Sequence, residues 1–85
     1  MDAATALADV RGYAGANRIV IVRHAWERMV ERGVRYEDVR HALVGAQRCR
    51  AADQGRWKVF GEDLDGDELV CVVAIEAGVV VVTVY

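Results

Sequence analysis

The stretch Leu69-Val70-Cys71-Val72-Val73-Ala74-Ile75-Glu76-Ala77-Gly78-Val79-Val80-Val81-Val82-Thr83-Val84-Tyr85 decides the fold. It is the longest apolar run of the chain, yet Glu76 and Gly78 break it into two pieces of strand length. A membrane-spanning helix needs about 20 consecutive apolar residues, so the run reads instead as two strands joined at Ala77-Gly78. Both pieces are apolar at odd and even positions, which predicts central strands of a sheet.

Upstream, Asp65-Gly66-Asp67 is a strong turn signal, and Arg56–Gly61 before it alternates. Trp57 and Val59 fall on one face of that strand, with Arg56, Lys58 and Phe60 on the other. Asp53-Gln54-Gly55 is another turn, preceded by a weak strand over residues 46–52. Strands joined by such short turns form an antiparallel meander.

The first half has a different period. Ala3, Leu7, Val10 and Ala14 recur at helical spacing and predict a helix over roughly residues 3–13. Ile19-Val20-Ile21-Val22 is a continuous β-branched run of the kind found in buried strands. From His24, Ala25, Trp26, Met29 and Val30 fall within one apolar arc of a helix that Gly33 stops. A further helix over Tyr36–Leu43 turns Val39 and Leu43 inward and carries Glu37 and Asp38 in its first turn. The expected architecture is α+β: helix, strand, two helices and a four-stranded meander, with the helices on an antiparallel sheet.

At 85 residues there is room for one domain, here residues 1–85. Proline, repeats and low-complexity tracts are absent. Met1-Asp2-Ala3-Ala4-Thr5 lacks the basic and apolar segments of a secretory signal, so a soluble cytoplasmic protein is expected. Cys49 and Cys71 are the two cysteines; they can pair, but two reduced thiols fit that compartment better. With His24 and His41 they have no zinc-like spacing, and the acids at 63, 65, 67 and 68 lack the rest of a calcium loop. No metal and no cofactor are expected.

The net charge of −2 is unevenly spread. Residues 18–50 carry eight arginines against four acids, and the remainder three basic residues against nine acids. Arginine binds phosphate as a planar fork. A genome favouring arginine codons explains the count equally well.

His24, Arg28 and Arg32 are spaced by four, a column drifting about 40° per step along the second helix. His24 sits at the helix start near Arg23 and Arg28, where the dipole and the neighbouring charges favour the neutral imidazole that a general base needs. The plainer alternative is a solvated face, with Arg28 and Arg32 paired to Glu27, Glu31 or Glu37 and His24 at a strand–helix junction. On spacing alone the plainer alternative weighs more.

The pattern His24-Ala25, Arg28-Met29, Arg32-Gly33-Val34, Glu37-Asp38-Val39, Ala42-Leu43 resembles small bacterial toxin-like domains related to the MqsR, BrnT and RelE ribonuclease toxins. The likeness continues through Trp57-Lys58-Val59, Gly66, Leu69 to Ile75 and the closing Val82-Thr83-Val84-Tyr85. It departs at Arg35, where a Ser or Thr helix cap is expected. The resemblance implies a RelE/MqsR-like fold and metal-independent RNA cleavage, in which a ribose 2′-hydroxyl attacks its own phosphate. It also implies a small antitoxin partner, which can carry a DNA-binding module.

The catalytic candidates carried by the motif are His24, Arg28 and Arg32, with Lys58, Thr83 and Tyr85 at matching strand positions. Arg23, Arg35, Arg56 and Trp57 are candidates for holding RNA, although Trp57 reads first as core or interface. The expected function is that of an endoribonuclease toxin. The alternative is a non-catalytic interaction domain on the same fold. A Val-rich sheet in so small a domain also predicts self-association or a protein partner.

Overall fold

The computed structural model describes all 85 residues. Helix α1 spans Ala3–Gly15, and its N-cap Asp2 accepts a hydrogen bond from the Thr5 amide at 2.8 Å. That bond lowers the Asp2 pKa. Its inward stripe is Ala6, Val10 and Ala14, with Leu7 half-buried and Ala3 exposed. The Arg40 guanidinium closes the other end, donating to the carbonyls of Ala14 and Gly15, each at 3.1 Å.

Strand β1, Ile19–Ile21, leads into α2, Arg23–Arg32, which Gly33 terminates in the left-handed conformation at φ 67°. Helix α3 spans Tyr36–Val44. Strands β2 (Arg48–Ala51), β3 (Trp57–Glu62), β4 (Glu68–Ile75) and β5 (Val79–Val84) follow, with a short 3-10 turn at Asp53–Gly55 between β2 and β3.

The five strands lie in the order β1-β5-β4-β3-β2. The meander β2-β3-β4-β5 is antiparallel throughout, as its short turns require. Strand β1 corrects the expected antiparallel sheet: it pairs with β5 in parallel, Ile19 opposite Val79 and Ile21 opposite Val81, so the sheet is mixed. The chain leaves β1 through α2 and α3, enters the opposite edge at β2 and returns to β5, which allows a parallel neighbour. The β-branched run 19–22 is therefore an edge strand rather than a buried one, and Val20 is 60% exposed.

The helices pack on one face of this sheet. Ala25 and Met29 of α2, and Val39, Ala42 and Leu43 of α3, meet Val59, Leu69, Cys71, Val73, Val79, Val81 and Val84 in a single core. The half-buried Trp57 packs against that core. Contact between α3 and β3 is backbone-close. A Cβ at Gly61 would overlap the Ala42 carbonyl, so only glycine permits this approach.

Arg35, the residue in place of the expected Ser or Thr, is relieved by Asp38. The Asp38 carboxylate accepts the Arg35 amide at 3.0 Å and the Leu64 amide at 3.1 Å, and pairs with the Arg35 guanidinium at 3.4 Å. Asp38 is only 6% exposed, and these bonds, the Arg35 amide first, hold its carboxyl below the usual range against the cost of burial. One carboxylate thus ties the start of α3 to the turn between β3 and β4. No helix of the structure is long and apolar enough to cross a membrane.

Candidate nucleic-acid interface

The other face of the sheet has no helix on it and carries a different chemistry. Strands β2 and β3 alternate, so Cys49, Trp57 and Val59 turn to the helices while Arg48, Arg50, Lys58 and Phe60 turn away. Register sets Arg48 opposite Phe60 and Arg50 opposite Lys58. Two like charges directly opposite each other on neighbouring strands repel. No ion pair relieves them: the chain's ion pairs are Arg23–Glu27, Arg28–Glu31 and Arg35–Asp38.

Their partner is an aromatic ring. The Arg48 guanidinium lies 3.8 Å from the Phe60 centroid, with Arg50 at 5.7 Å and the Lys58 ammonium at 5.8 Å. Lys58 also lies 5.2 Å from the Tyr85 centroid. Three cations therefore share one ring, and one of them is shared with a second ring.

Thr83 and Tyr85 reach this face through a bulge. Val79 and Val81 are fully buried on the helix side, and strict alternation would put Thr83 there too. Instead Val73 pairs with Val81 and Val72 with Thr83, leaving Val82 as an extra residue. Beyond it the buried position is Val84, and Thr83 joins the row Arg50-Lys58-Val72 on the open face. The Tyr85 amide bonds to Val70 O at 2.8 Å, holding the last residue beside the sheet. Period two correctly puts Thr83 and Tyr85 on one face; the bulge decides which face.

The α2 column lies apart from this cluster. His24 and Arg32 are exposed, and the half-exposed Arg28 makes a loose pair with Glu31 at 4.0 Å. No hydrogen bond, ion pair or cation–π contact joins His24, Arg28 or Arg32 to Lys58, Thr83 or Tyr85. Topology gives a looser relation. The Val22 amide bonds to Val81 O at 3.2 Å, so Arg23 and His24 leave the sheet beside β5, against which α2 packs.

The remaining candidates scatter. Arg23 is fully solvated and pairs with Glu27 at 3.7 Å, Arg35 is held by Asp38, and Arg56 precedes β3 at the end of the 3-10 turn. Trp57 sits on the opposite side of the sheet from Lys58, against the core, as its apolar alternation with Val59 predicts. Arg48, Arg50 and Phe60 are site members that the sequence motif does not include. Their signal is the alternation of Arg48-Cys49-Arg50 read across the turn onto Lys58-Val59-Phe60.

Neither thiol joins the cluster. Burial pushes Cys71 up to about 12 and raises Cys49, whose Sγ donates to Ala3 O at 3.3 Å. Both thiols are free. No three His, Cys, Asp or Glu side chains converge as a metal-binding group.

No curated protein and no solved structure matches this chain. The matching family begins at the last residue of β1 and includes both the α2 column and the open-face cluster. Residues 21–85 match the domain of unknown function DUF4258, and the chain belongs to that family.

Proposed function

We propose that this domain is an endoribonuclease of the toxin type whose RNA-binding surface is the open face of the sheet. The observation that carries the reading is the unneutralised group Arg48, Arg50 and Lys58 around Phe60, with Thr83 and Tyr85 turned onto the same face by the bulge. Folding leaves like charges together without a carboxylate only at a cost, and a polyanion repays it. Aromatic rings among cations also match how proteins hold unpaired nucleotides.

In this reading the ribose 2′-oxygen attacks the adjacent phosphorus and the 5′-oxygen leaves. The products are a 2′,3′-cyclic phosphate and a 5′-hydroxyl end. The guanidinium and ammonium groups offset the charge that builds on the phosphoryl oxygens, a service worth about 10²–10³ in rate per donor. The reaction needs one proton removed from the 2′-hydroxyl and one delivered to the leaving oxygen. Tyr85 and Thr83 carry the hydroxyls nearest Lys58 in the sheet, while His24 is the imidazole on α2. Arg28 and Arg32 extend the basic surface along that helix. The partner this reading implies is a small antitoxin.

The deciding experiment is induced expression with a growth readout, together with incubation of the purified protein with RNA in EDTA. Slowed growth and cleavage in EDTA support the reading, and Lys58→Ala or His24→Ala relieves both without unfolding the protein. Harmless expression with no cleavage in any buffer overturns it.

A second reading, a non-catalytic interaction domain, has its own observation. The apolar arc of α2 is split: Ala25 and Met29 are buried, while Trp26 is 44% and Val30 78% exposed on the adjoining flank. A partner that covers Trp26 and Val30 while RNA is ignored favours this reading.

A further inference from the structure

We infer that Phe60 is a positioning residue that gathers Arg48, Arg50 and Lys58 into one polyphosphate clamp, so that the site engages several phosphates of an RNA strand at once. The inference rests on the RNA reading above for its natural ligand, but its physical basis is independent of the chemistry. Arg50 and Lys58 stand directly opposite each other and Arg48 faces Phe60 itself. Left to Coulomb repulsion in water, three long flexible cations would splay apart, each into its own solvent shell. The electron-rich face of one ring attracts all three, at 3.8, 5.7 and 5.8 Å from its centroid.

No carboxylate lies within 4.0 Å of these cations: the chain's ion pairs are made by Arg23, Arg28 and Arg35, and Glu62 and Glu68, the acids on the same face, stand opposite each other at its far end. Phe60 itself is not needed by the core, which closes on the other face through Val59 and Gly61. A half-buried phenyl on an uncovered face, holding charges that gain nothing from one another, is accounted for by what those charges do together. Lys58 extends the arrangement by lying 5.2 Å from the Tyr85 ring as well.

A clamp that neutralises three phosphates releases their counterions as a unit. The three cations together predict a slope of about −2 for log affinity against log salt on a single strand. Phe60→Leu keeps the apolar bulk and removes the ring quadrupole. It should weaken binding roughly tenfold at low salt and flatten the slope, because the cations no longer converge. Phe60→Tyr keeps the quadrupole and should retain the wild-type slope.

The test is fluorescence anisotropy across a salt series, using a labelled single-stranded RNA oligonucleotide, with inorganic polyphosphate as competitor and as separate probe by calorimetry. Thermal unfolding of each variant is followed in parallel. Weakened, flattened binding in Phe60→Leu, restored in Phe60→Tyr with melting unchanged, supports the inference. Equal slopes in wild type and a folded Phe60→Leu overturn it. If Phe60→Leu does not fold, the comparison moves to Arg48→Gln and Lys58→Gln, each of which must flatten the slope; failure of both to do so overturns the inference. Binding of polyphosphate but not RNA keeps the clamp and removes the RNA reading. Wild-type protein that binds neither probe ends the clamp.

Discussion

The two faces of one sheet are made by the same strands and do opposite things. On the covered face, Val59, Leu69, Cys71, Val73, Val81 and Val84 disappear under α2 and α3. On the open face, Arg48, Arg50, Lys58, Thr83 and Tyr85 stand around Phe60 and the half-buried Val72. A covered face must be apolar because burial there supplies the folding free energy. A bare face is free of that demand, so groups that cost stability can stay on it. In the proposed reading, chemistry and stability are separated by a single strand thickness, and alternate residues are assigned to each.

Inserting one alanine between Val82 and Thr83 breaks that separation most directly. One residue more after the bulge would turn Thr83 and Tyr85 toward the helices and the fully buried Val84 toward solvent. A buried Thr hydroxyl and a lost valine together should cost several kcal/mol, out of roughly 4–13 kcal/mol for a domain of this length. Loss of a cooperative melt by circular dichroism is the expected outcome, and an insertion variant that melts like wild type would mean the register at the bulge is not what sets the two faces.

Substitutions confined to one face sharpen the comparison. Leu43→Ala opens a cavity under the helices and should cost about 2–5 kcal/mol in urea denaturation. Lys58→Ala and Arg48→Ala, on the open face, should leave stability within about 0.5 kcal/mol while reducing RNA cleavage by about 10²–10³. Equal stability losses on both faces would show that the open face is ordinary structure.

A smaller effect comes from the clasp at the edge of the covered face. Asp38→Asn weakens two amide contacts and the Arg35 pair, and should cost about 1–3 kcal/mol. The sign with pH follows from its lowered pKa. An acid whose folded pKa lies below its unfolded value of about 3.9 contributes fully above that value and loses its contribution as pH falls through the folded pKa. Wild type should therefore lose stability below about pH 4 more steeply than Asp38→Asn. Parallel acid profiles for the two proteins would remove Asp38 from its role.

The smallest expected effect lies on the outer flank of α2. Trp26→Ser and Val30→Ser should change stability by no more than about 0.5 kcal/mol, because both side chains already face water. Sedimentation compares their association with wild type. A drop in self-association that leaves RNA cleavage intact would place a docking surface there, apart from the open face.

The boundaries of the helices are legible in the sequence because their signals are local. Gly33 and Gly45 end α2 and α3, and the acidic first turn marks the start of α3. The meander is legible for the same reason, since Asp53-Gln54-Gly55, Asp65-Gly66-Asp67 and Ala77-Gly78 are turn chemistry within a few residues of each other's strands. Periodicity alone is enough to place Lys58 and Phe60 on one face of β3.

What only the tertiary structure decided involves partners distant along the chain. Whether Ile19–Ile21 is central or edge, parallel or antiparallel, depends on where β5 lies some sixty residues later. The arc from Ala25 to Val30 is apolar in either case; the sheet's position decides that Ala25 and Met29 are covered and Trp26 and Val30 are not. The bulge at Val82 has no signature in a run of four valines, because it is fixed by how Val72 and Val73 of β4 pair with β5. Local conformational preferences act between neighbours and can be read in one dimension. Register and burial are set by contacts across the fold, and they determined which cations share the ring of Phe60.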